Sequence, residues 1–182
     1  MKDFLELVEQ RQSDRKYLKK PVEKEKLMRC LEAARLAPSA SNSQPWTFVV
    51  ADDPEVVSKL AKAARGPIGT FNNFVKQAPV ILTIVLEKPK AVTEIGMKVK
   101  EKEWPLMDVG ITAEHFCLQA ADEGLGTCML GWFDEKKVKE ILQIPGEKTV
   151  ALLITLGYTP EGYKHRKKIR KPMEKIIRWN RY

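Results

Sequence analysis

Three residues near the start of the chain have the types and spacing of an anion-binding site. In the segment RQSDR, the residues Arg11, Ser13 and Arg15 occupy alternate positions. In an extended backbone their side chains would point to the same side. Two guanidinium groups and a hydroxyl aimed at one point would hold a phosphate through charge-assisted hydrogen bonds. A solvated cluster of surface charges would have the same spacing, so the predicted phosphate site needs support from elsewhere in the chain.

A second group of cations lies near the end of the chain. The segment YKHRKKIRK has six Lys or Arg residues among nine positions, and Lys168 and Arg170 again alternate just before Pro172. If the two basic segments meet in space, one dianionic phosphate would account for both. A nucleic-acid-binding or solubilising tail would also be basic. Because Tyr163 and His165 are the only ring-bearing side chains among the cations, however, the tail would bind single-stranded nucleic acid weakly.

A third candidate lies in the stretch APSASNSQPWTFVV, which starts at Ala37. We call its first part, residues 37–45, the polar loop. Pro38 and Pro45 keep the residues before them out of the helical region. Hydroxyl and amide groups that both donate and accept suit the mixed edge of a heterocycle or a sugar chain, and the loop has four of them: Ser39, Ser41, Asn42 and Gln44. An ordinary turn that caps the preceding helix would use the same residues.

Several other chemistries have no support in the sequence. His115 and His165 lack a carboxylate or cysteine at metal-ligand spacing, so no metal site is expected. No nucleophile elbow, P-loop or dinucleotide fingerprint is present. The three cysteines are widely spaced in apolar surroundings, which predicts buried thiols and no disulfide framework: Cys30, Cys117 and Cys128. The remaining hypothesis is a bound anionic aromatic cofactor that performs the reaction itself.

Composition indicates one globular domain over residues 1–182, with 43% hydrophobic and 31% charged residues. No apolar run approaches the roughly 20 residues that span a bilayer. The segment MKDFLELVEQ has no secretory core, so a cytoplasmic location and no membrane partner are expected. The formal charge of +8 favours an anionic partner.

Hydrophobic periodicity predicts helices that alternate with four strands. The strands are predicted at about Trp46–Ala51, Pro79–Leu86, Leu125–Leu130 and Thr149–Leu156. The helices are predicted at about Lys2–Arg11, Val22–Ala37, Pro54–Ala64, Leu106–Glu123 and Asp134–Leu142, with breakers at Gly66, Pro67 and Gly69. The helix from Leu106 is apolar around most of its circumference, so it is expected in a core or between subunits. The lysine-rich segment Glu87–Glu103 is consistent with a mobile cover or a short surface helix.

Five segments, in this order, resemble the FMN-dependent nitroreductase family over nearly the whole chain: RQSDRKYLKKPV, AARLAPSASNSQPWTFVV, GLGTCMLGWF, IPGEKTVALLITLGY and KIRKPMEKII. The pairing of RxSxR with APSxxNxQPW is the most specific part of the resemblance. The resemblance implies an α+β fold, a three-layer α-β-α sandwich with a mostly antiparallel central sheet. It also implies an intertwined homodimer that binds two FMN molecules at its interface.

The resemblance further implies which residues bind FMN. The ribityl phosphate would contact Arg11, Gln12, Ser13, Arg15, Lys168 and Arg170. The flavin would lie against Pro38, Ser39, Asn42 and Gln44, some of them from the other subunit. Met129, Leu130 and Gly131 would pass close to the isoalloxazine ring, where a backbone N–H could tune its potential. Asn72 or Asn73 is a further candidate.

The reaction implied by the resemblance occurs on the cofactor, so no catalytic side chain is expected. NADH or NADPH would pass a hydride to flavin N5 and leave, after which a nitroaromatic or quinone-like acceptor would be reduced in the same place. Reductive dehalogenation, flavin fragmentation and dehydrogenation of cyclised peptides stay open as reactions of the same fold. So does a non-catalytic protein that binds flavin or nucleic acid.

Overall fold

The structure is a computed structural model that describes residues 3–66 and 71–182. Within these ranges the helices are α1 (Phe4–Gln10), α2 (Lys24–Arg35), α3 (Pro54–Ala63), α4 (Ala91–Lys100), α5 (Trp104–Asp122), α6 (Glu135–Leu142) and α7 (Met173–Ile176). The strands are β1 (Trp46–Ala51), β2 (Val80–Leu86), β3 (Gly126–Leu130) and β4 (Thr149–Gly157). Two short 3-10 turns cover Ala40–Asn42 and Asn73–Gln77.

The four strands form one antiparallel sheet in the order β1-β2-β4-β3. Trp46 pairs with Leu86 at one end of β1, and Gly126 pairs with Gly157 at the start of β3. β1 and β3 are therefore the two edge strands. Beside β3, Ser13 adds a single parallel bridge to Thr127.

Helices cover both faces of the sheet. On one face α2 and α5 bury a cluster that includes Leu82 and Phe116, and on the other α3 and α6 bury a cluster that includes Leu60 and Leu153. Because both faces are covered, β2 has no polar alternation and reads VILTIVL. The predicted α+β fold, with helices on either side of an antiparallel sheet, is confirmed.

Local sequence signals explain where the elements begin. The Asp53 side chain accepts hydrogen bonds from the Glu55 and Val56 amides at the start of α3, and Pro54 occupies the first turn. The Asp134 side chain accepts from the Lys137 amide at the start of α6. All four predicted strands are present, and the three cysteine thiols are buried as predicted.

Some boundaries differ from the predictions. α5 begins at Trp104, so Pro105 lies inside its first turn, where a missing N–H breaks no hydrogen bond. The segment Glu87–Glu103 contains α4. The two 3-10 turns and α7 were not predicted. Lys2 and the predicted breakers Pro67 and Gly69 lie outside the described residues. Among residues 3–66 and 71–182, no helix is long and apolar enough to cross a membrane.

Candidate functional site

The RQSDR segment runs past the start of β3. Ser13 bridges Thr127, and the Asp14 amide donates to the Thr127 carbonyl at 2.7 Å. These contacts hold the segment in an extended form, as the alternating pattern requires. Asp14 is only 6% exposed, whereas Arg11, Ser13 and Arg15 line one cleft.

The tail lies against this segment through hydrogen bonds to its backbone and to Gln12. The Arg166 amide donates to Gln12 Oε1 at 3.0 Å, and the Arg166 guanidinium donates to the Ser13 carbonyl. The Lys168 ammonium donates to the Arg11 carbonyl. The two basic segments therefore meet in space, which was the condition for a shared phosphate site.

The cleft between the two segments has a volume of about 380 Å³. Gln12, Ser13 and Ile169 line it together with six cationic side chains: Arg11, Arg15, Arg166, Lys167, Lys168 and Arg170. Arg11 Nε lies 3.0 Å from Glu114 Oε1 on α5. Burial and the neighbouring charges of Arg11 and Arg170 lower the pKa of Lys168. Cations crowded in this way create the positive potential that a dianion needs.

Arg166 is a member of this cleft that the sequence reasoning missed. The signal was present, because Arg166, Lys168 and Arg170 continue one alternating series. What the sequence did not indicate is that Arg166 bonds the opposite segment through both its backbone and its side chain.

The β3 edge extends from this cleft toward Gly131. The Met129 side chain packs against the core beneath α2 and α5, and the Leu130 side chain is buried in the core beneath α3 and α6. On this edge a ligand would therefore meet mainly backbone atoms. From Thr127, beside Ser13, to Gly131 the backbone advances roughly 13 Å. At Gly131 nothing lies within 4 Å of where a Cβ would be.

Asn72 holds the segment that follows Gly131. Its Nδ2 donates to the carbonyls of Ala64 and Trp132, each at 3.0 Å. Asn72 has a left-handed backbone with φ of 55°, a conformation that asparagine tolerates better than most residues. Its neighbour Asn73 starts a 3-10 turn. Asn72 therefore lies beside the predicted ring-binding segment, with its amide nitrogen engaged by the protein.

The polar loop uses several of its side chains within itself. Ser39 Oγ accepts from the Gln44 amide at 2.9 Å, and Gln44 Nε2 donates to Asn42 Oδ1 at 2.9 Å. Ser41, Asn42 and Gln44 have φ values of 52°, 50° and 48°. Left-handed backbone at three non-glycine residues costs free energy that the surrounding structure must offset, and such strain is concentrated at ligand sites.

Two neighbouring elements hold the polar loop in this shape. The Ala40 amide donates to both carboxylate oxygens of Asp108 on α5, at 3.2 Å each. Burial raises the pKa of that carboxyl. At the start of α4, the Lys90 amide donates to Ser43 Oγ at 2.8 Å. Asp108 was not predicted, although it is the only acid in the apolar run WPLMDVGITA.

A groove of about 440 Å³ lies beside the polar loop. Pro38 and Ser39 form one side of it, and Trp104, Met107 and Ile111 of α5 form the other. The predicted loop residues therefore border an open, largely apolar space.

Within one chain, the polar loop and the cationic cleft lie near opposite edges of the sheet. The loop leads into β1 and the cleft adjoins β3, and three strand spacings separate these edges by roughly 14 Å. On α5, Asp108 contacts the loop and Glu114 contacts Arg11; six residues of helix separate them by roughly 9 Å. The chain thus presents the two predicted groups of binding residues at opposite edges of its sheet.

Comparison with known proteins gives a consistent result. A sequence profile described as "Nitroreductase family" matches residues 8–68 and 69–158. A protein of Thermus thermophilus named NADH dehydrogenase is 30% identical, over 93% of this chain and 92% of its own length. An FMN-dependent nitroreductase from Clostridium difficile R20291 is 28% identical with a TM-score of 0.79, covering 98% of this chain and 100% of its own. A nitroreductase family protein from Clostridium difficile 630 is 26% identical with a TM-score of 0.81, and the match covers 100% of both chains.

Proposed function

Because the chain belongs to the nitroreductase family, we propose that it is a homodimeric FMN-dependent oxidoreductase. In this proposal it uses NADH or NADPH to reduce small nitroaromatic or quinone-like acceptors. The observation that carries the proposal is the cationic cleft built from both ends of the chain, adjoining the edge strand β3.

The charged groups of the cleft suit the phosphate of FMN, and we call it the phosphate cleft. Arg11, Arg15 and Lys168 offer charged donors around Ser13, whose hydroxyl adds a neutral one. The lowered pKa of Lys168 reflects burial and cationic neighbours, and a bound dianion would offset the repulsion among them. These residues would hold the phosphate, so that the flavin ring extends along β3 toward Gly131.

The polar loop of a second subunit would form the other wall. Asn42 and Gln44 would then offer amide groups to the flavin or to its ribityl chain. The strained backbone of the loop, held by Asp108 and by the start of α4, would keep these groups in a fixed arrangement.

A dimer is supported by apolar surface that one chain leaves uncovered. Leu106, Met107 and Ile111 of α5 are all exposed, and Gly110 between them has nothing within 4 Å of where a Cβ would be. In the tail, Ile169 is 87% exposed and Trp179 is 83% exposed. Neighbouring exposed apolar side chains such as those of α5 are typical of a protein interface. A glycine in the middle of a helix allows a close approach by another backbone.

The residues of the chain would bind and orient the reactants in this reaction. Bound FMN supplies the redox chemistry, since it accepts a hydride from NAD(P)H and delivers it to the acceptor. The backbone at Gly131 would lie at the ring edge, and the groove beside Trp104 and Met107 would admit a flat apolar molecule. No proton-transferring side chain is required of the protein.

The direct test is spectroscopic. The purified protein should be yellow, release FMN on denaturation and bleach anaerobically when NADH or NADPH is added. Stopped-flow reoxidation by a quinone then separates an enzyme from an inert flavin binder. A colourless preparation that FMN cannot reconstitute would overturn the proposal.

Subunit complementation tests whether the flavin site is shared. One variant combines Arg11→Ala with Arg15→Ala, and the other combines Asn42→Ala with Gln44→Ala. Each alone should lose bound flavin. In a mixed dimer with shared sites, one site carries both defects and the other carries neither. Random pairing makes about half of the dimers mixed, so about a quarter of all sites should bind flavin again. If mixed dimers form without any recovery, each flavin is bound by residues of one subunit alone.

A further inference from the structure

We propose that a second pocket, remote from the phosphate cleft, binds a small amphipathic anion: a compact apolar body that carries one carboxylate, sulfonate or phosphate group. The pocket has a volume of about 490 Å³. Residues 19–22 form one side of it. The start of α3 and the residues that lead into β2 form the other. We call it the lysine pocket.

The inner surface of the lysine pocket is apolar and rigid. Val57 and Val80, which are buried, line it together with three prolines: Pro21, Pro54 and Pro79. Pro79 has a fixed position, because Gly157 packs so closely that a Cβ there would lie 2.6 Å from Pro79 Cδ. A proline-lined wall changes little when a ligand enters, which reduces the conformational cost of binding.

The rim of the pocket is cationic. Lys19, Lys20 and Lys76 line it, against one acid, Asp52. The Lys20 ammonium lies 4.0 Å from the centre of the Tyr158 ring and 3.7 Å from Glu23 Oε1, so Glu23 offsets its charge. Lys19 and Lys76 still outnumber Asp52, and this balance favours an anion over a cation.

Two more polar groups lie beside the apolar surface. Gln77 Oε1 accepts a hydrogen bond from the Tyr17 amide at 3.3 Å, which orients the side-chain amide at the pocket wall. Ser58, on the exposed side of α3, adds a hydroxyl. A few polar groups around an apolar cavity of this size are typical of small-molecule sites.

The ligand class follows from combining the rim with the inner surface. A bare inorganic anion would leave the apolar wall in water, and a neutral apolar molecule would gain nothing from Lys19 and Lys76. An apolar group of six to eight carbons with one anionic head would bury its body against Val57 and Val80 and direct its charge to the lysines. None of the lining residues borders the phosphate cleft or the polar-loop groove. The inference therefore does not depend on the proposed flavin chemistry.

Cyclohexanecarboxylate is a suitable probe, since it is anionic and apolar and cannot stack on a flavin ring. It should bind the purified protein saturably and shift the methyl resonances of Val22, Val57 and Val80 in NMR spectra. Cyclohexanemethanol, its neutral counterpart, should bind at least about five-fold more weakly. Shifts confined to Met107 and Ile111 would place the probe in the polar-loop groove and overturn the proposal.

Variants separate the charge from the cavity. Lys19→Glu combined with Lys76→Glu should weaken binding by about five-fold or more. Lys59→Glu combined with Lys62→Glu, at two lysines of α3 that do not line the pocket, is the control with the same change of charge. Ser58→Phe should fill the cavity and abolish binding with no change of charge. The Val138 methyl signals, which report the buried core, verify that each variant is folded. Unchanged affinity in both the double variant and Ser58→Phe would overturn the proposal.

Discussion

At the scale of single residues, Asp14 shows that burying a carboxylate beside the sheet costs free energy. Its carboxylate is buried, and Oδ1 has no hydrogen-bond partner among the described residues. Burial raises the pKa of Asp14 above its ordinary value of 3.8. At pH values between the unfolded-state pKa and the higher folded-state pKa, the folded protein binds more protons than the unfolded chain. The free energy of unfolding therefore falls as the pH rises through this range, and it stays lower at higher pH.

Asp14→Asn should therefore become progressively more favourable as pH rises. Asparagine does not titrate, so the free energy of unfolding of the variant relative to the wild type should increase as the pH rises above about 4, the unfolded-state pKa of aspartate. Urea unfolding at a series of pH values measures the difference directly. Parallel stability curves for the two proteins would show that the Asp14 pKa is the same in the folded and unfolded states.

Arg11 tests the phosphate at the same scale. Arg11→Ala should weaken FMN binding by about 1.5–3 kcal/mol, the usual contribution of a hydrogen bond to a charged group. It also frees Glu114, which lies 3.0 Å from the Arg11 guanidinium. Riboflavin lacks the phosphate, so its affinity should not change. Isothermal titration of both flavins makes the comparison.

The matched control for Arg11 is Arg29→Ala. Arg29 lies on α2, outside the cleft, and it also pairs with a glutamate, Glu123. FMN affinity should stay at the wild-type value in this control. An Arg11 variant with wild-type FMN affinity would mean that the phosphate is bound elsewhere.

Residue types and spacing predicted part of the site and could not predict the rest. Alternation indicated that Arg11, Ser13 and Arg15 share a face, and all three line one cleft. The contacts that bring the tail there go to the backbone carbonyls of Arg11 and Ser13, which every residue has. Similarly, nothing adjacent to Asp108 in sequence indicates that it accepts the Ala40 amide, 68 residues away.

At the scale of elements, prediction succeeded where a local signal and the tertiary environment agreed. The buried run VILTIVL and the aspartate caps of α3 and α6 are such cases. α4 was not assigned because the contacts that stabilise it involve residues outside the helix. The Lys90 amide donates a hydrogen bond to Ser43 Oγ. Gly96 packs so closely against Trp104 that a Cβ would lie 2.5 Å from the indole ring. Neither contact leaves a periodic pattern.

The bond between Lys90 and Ser43 gives a prediction for α4. Ser43→Ala removes the acceptor for the Lys90 amide, which precedes the helix. Because such a bond contributes about 0.5–1.5 kcal/mol, amide exchange at Lys90 should become about 2- to 10-fold faster. Ser41→Ala is the control, since the Ser41 hydroxyl makes no hydrogen bond to a described residue. Equal exchange rates in both variants would show that Ser43 does not anchor α4.

At the scale of the whole molecule, the proposed dimer would account for the apolar surface that one chain leaves exposed. The phosphate cleft and the polar loop lie on opposite edge strands, so a second copy related by two-fold symmetry could supply to each cleft the loop that it lacks. The exposed residues of α5 adjoin the polar loop. The surface that joins the copies would therefore also complete the sites, and assembly and flavin binding should be lost together.

Gly110 provides the sharpest test of that coupling. Gly110 is exposed, a Cβ at this position would have nothing within 4 Å in one chain, and replacing glycine in a helix adds up to about 1 kcal/mol of helix stability. Gly110→Leu should therefore leave the subunit folded while blocking a close approach by a partner helix. We expect a monomer in analytical ultracentrifugation, with FMN affinity at least ten-fold weaker and a native circular dichroism spectrum. Lys136→Leu, on the exposed part of α6, should stay dimeric with wild-type affinity. A Gly110→Leu dimer that binds FMN normally would show that this part of α5 lies outside the interface.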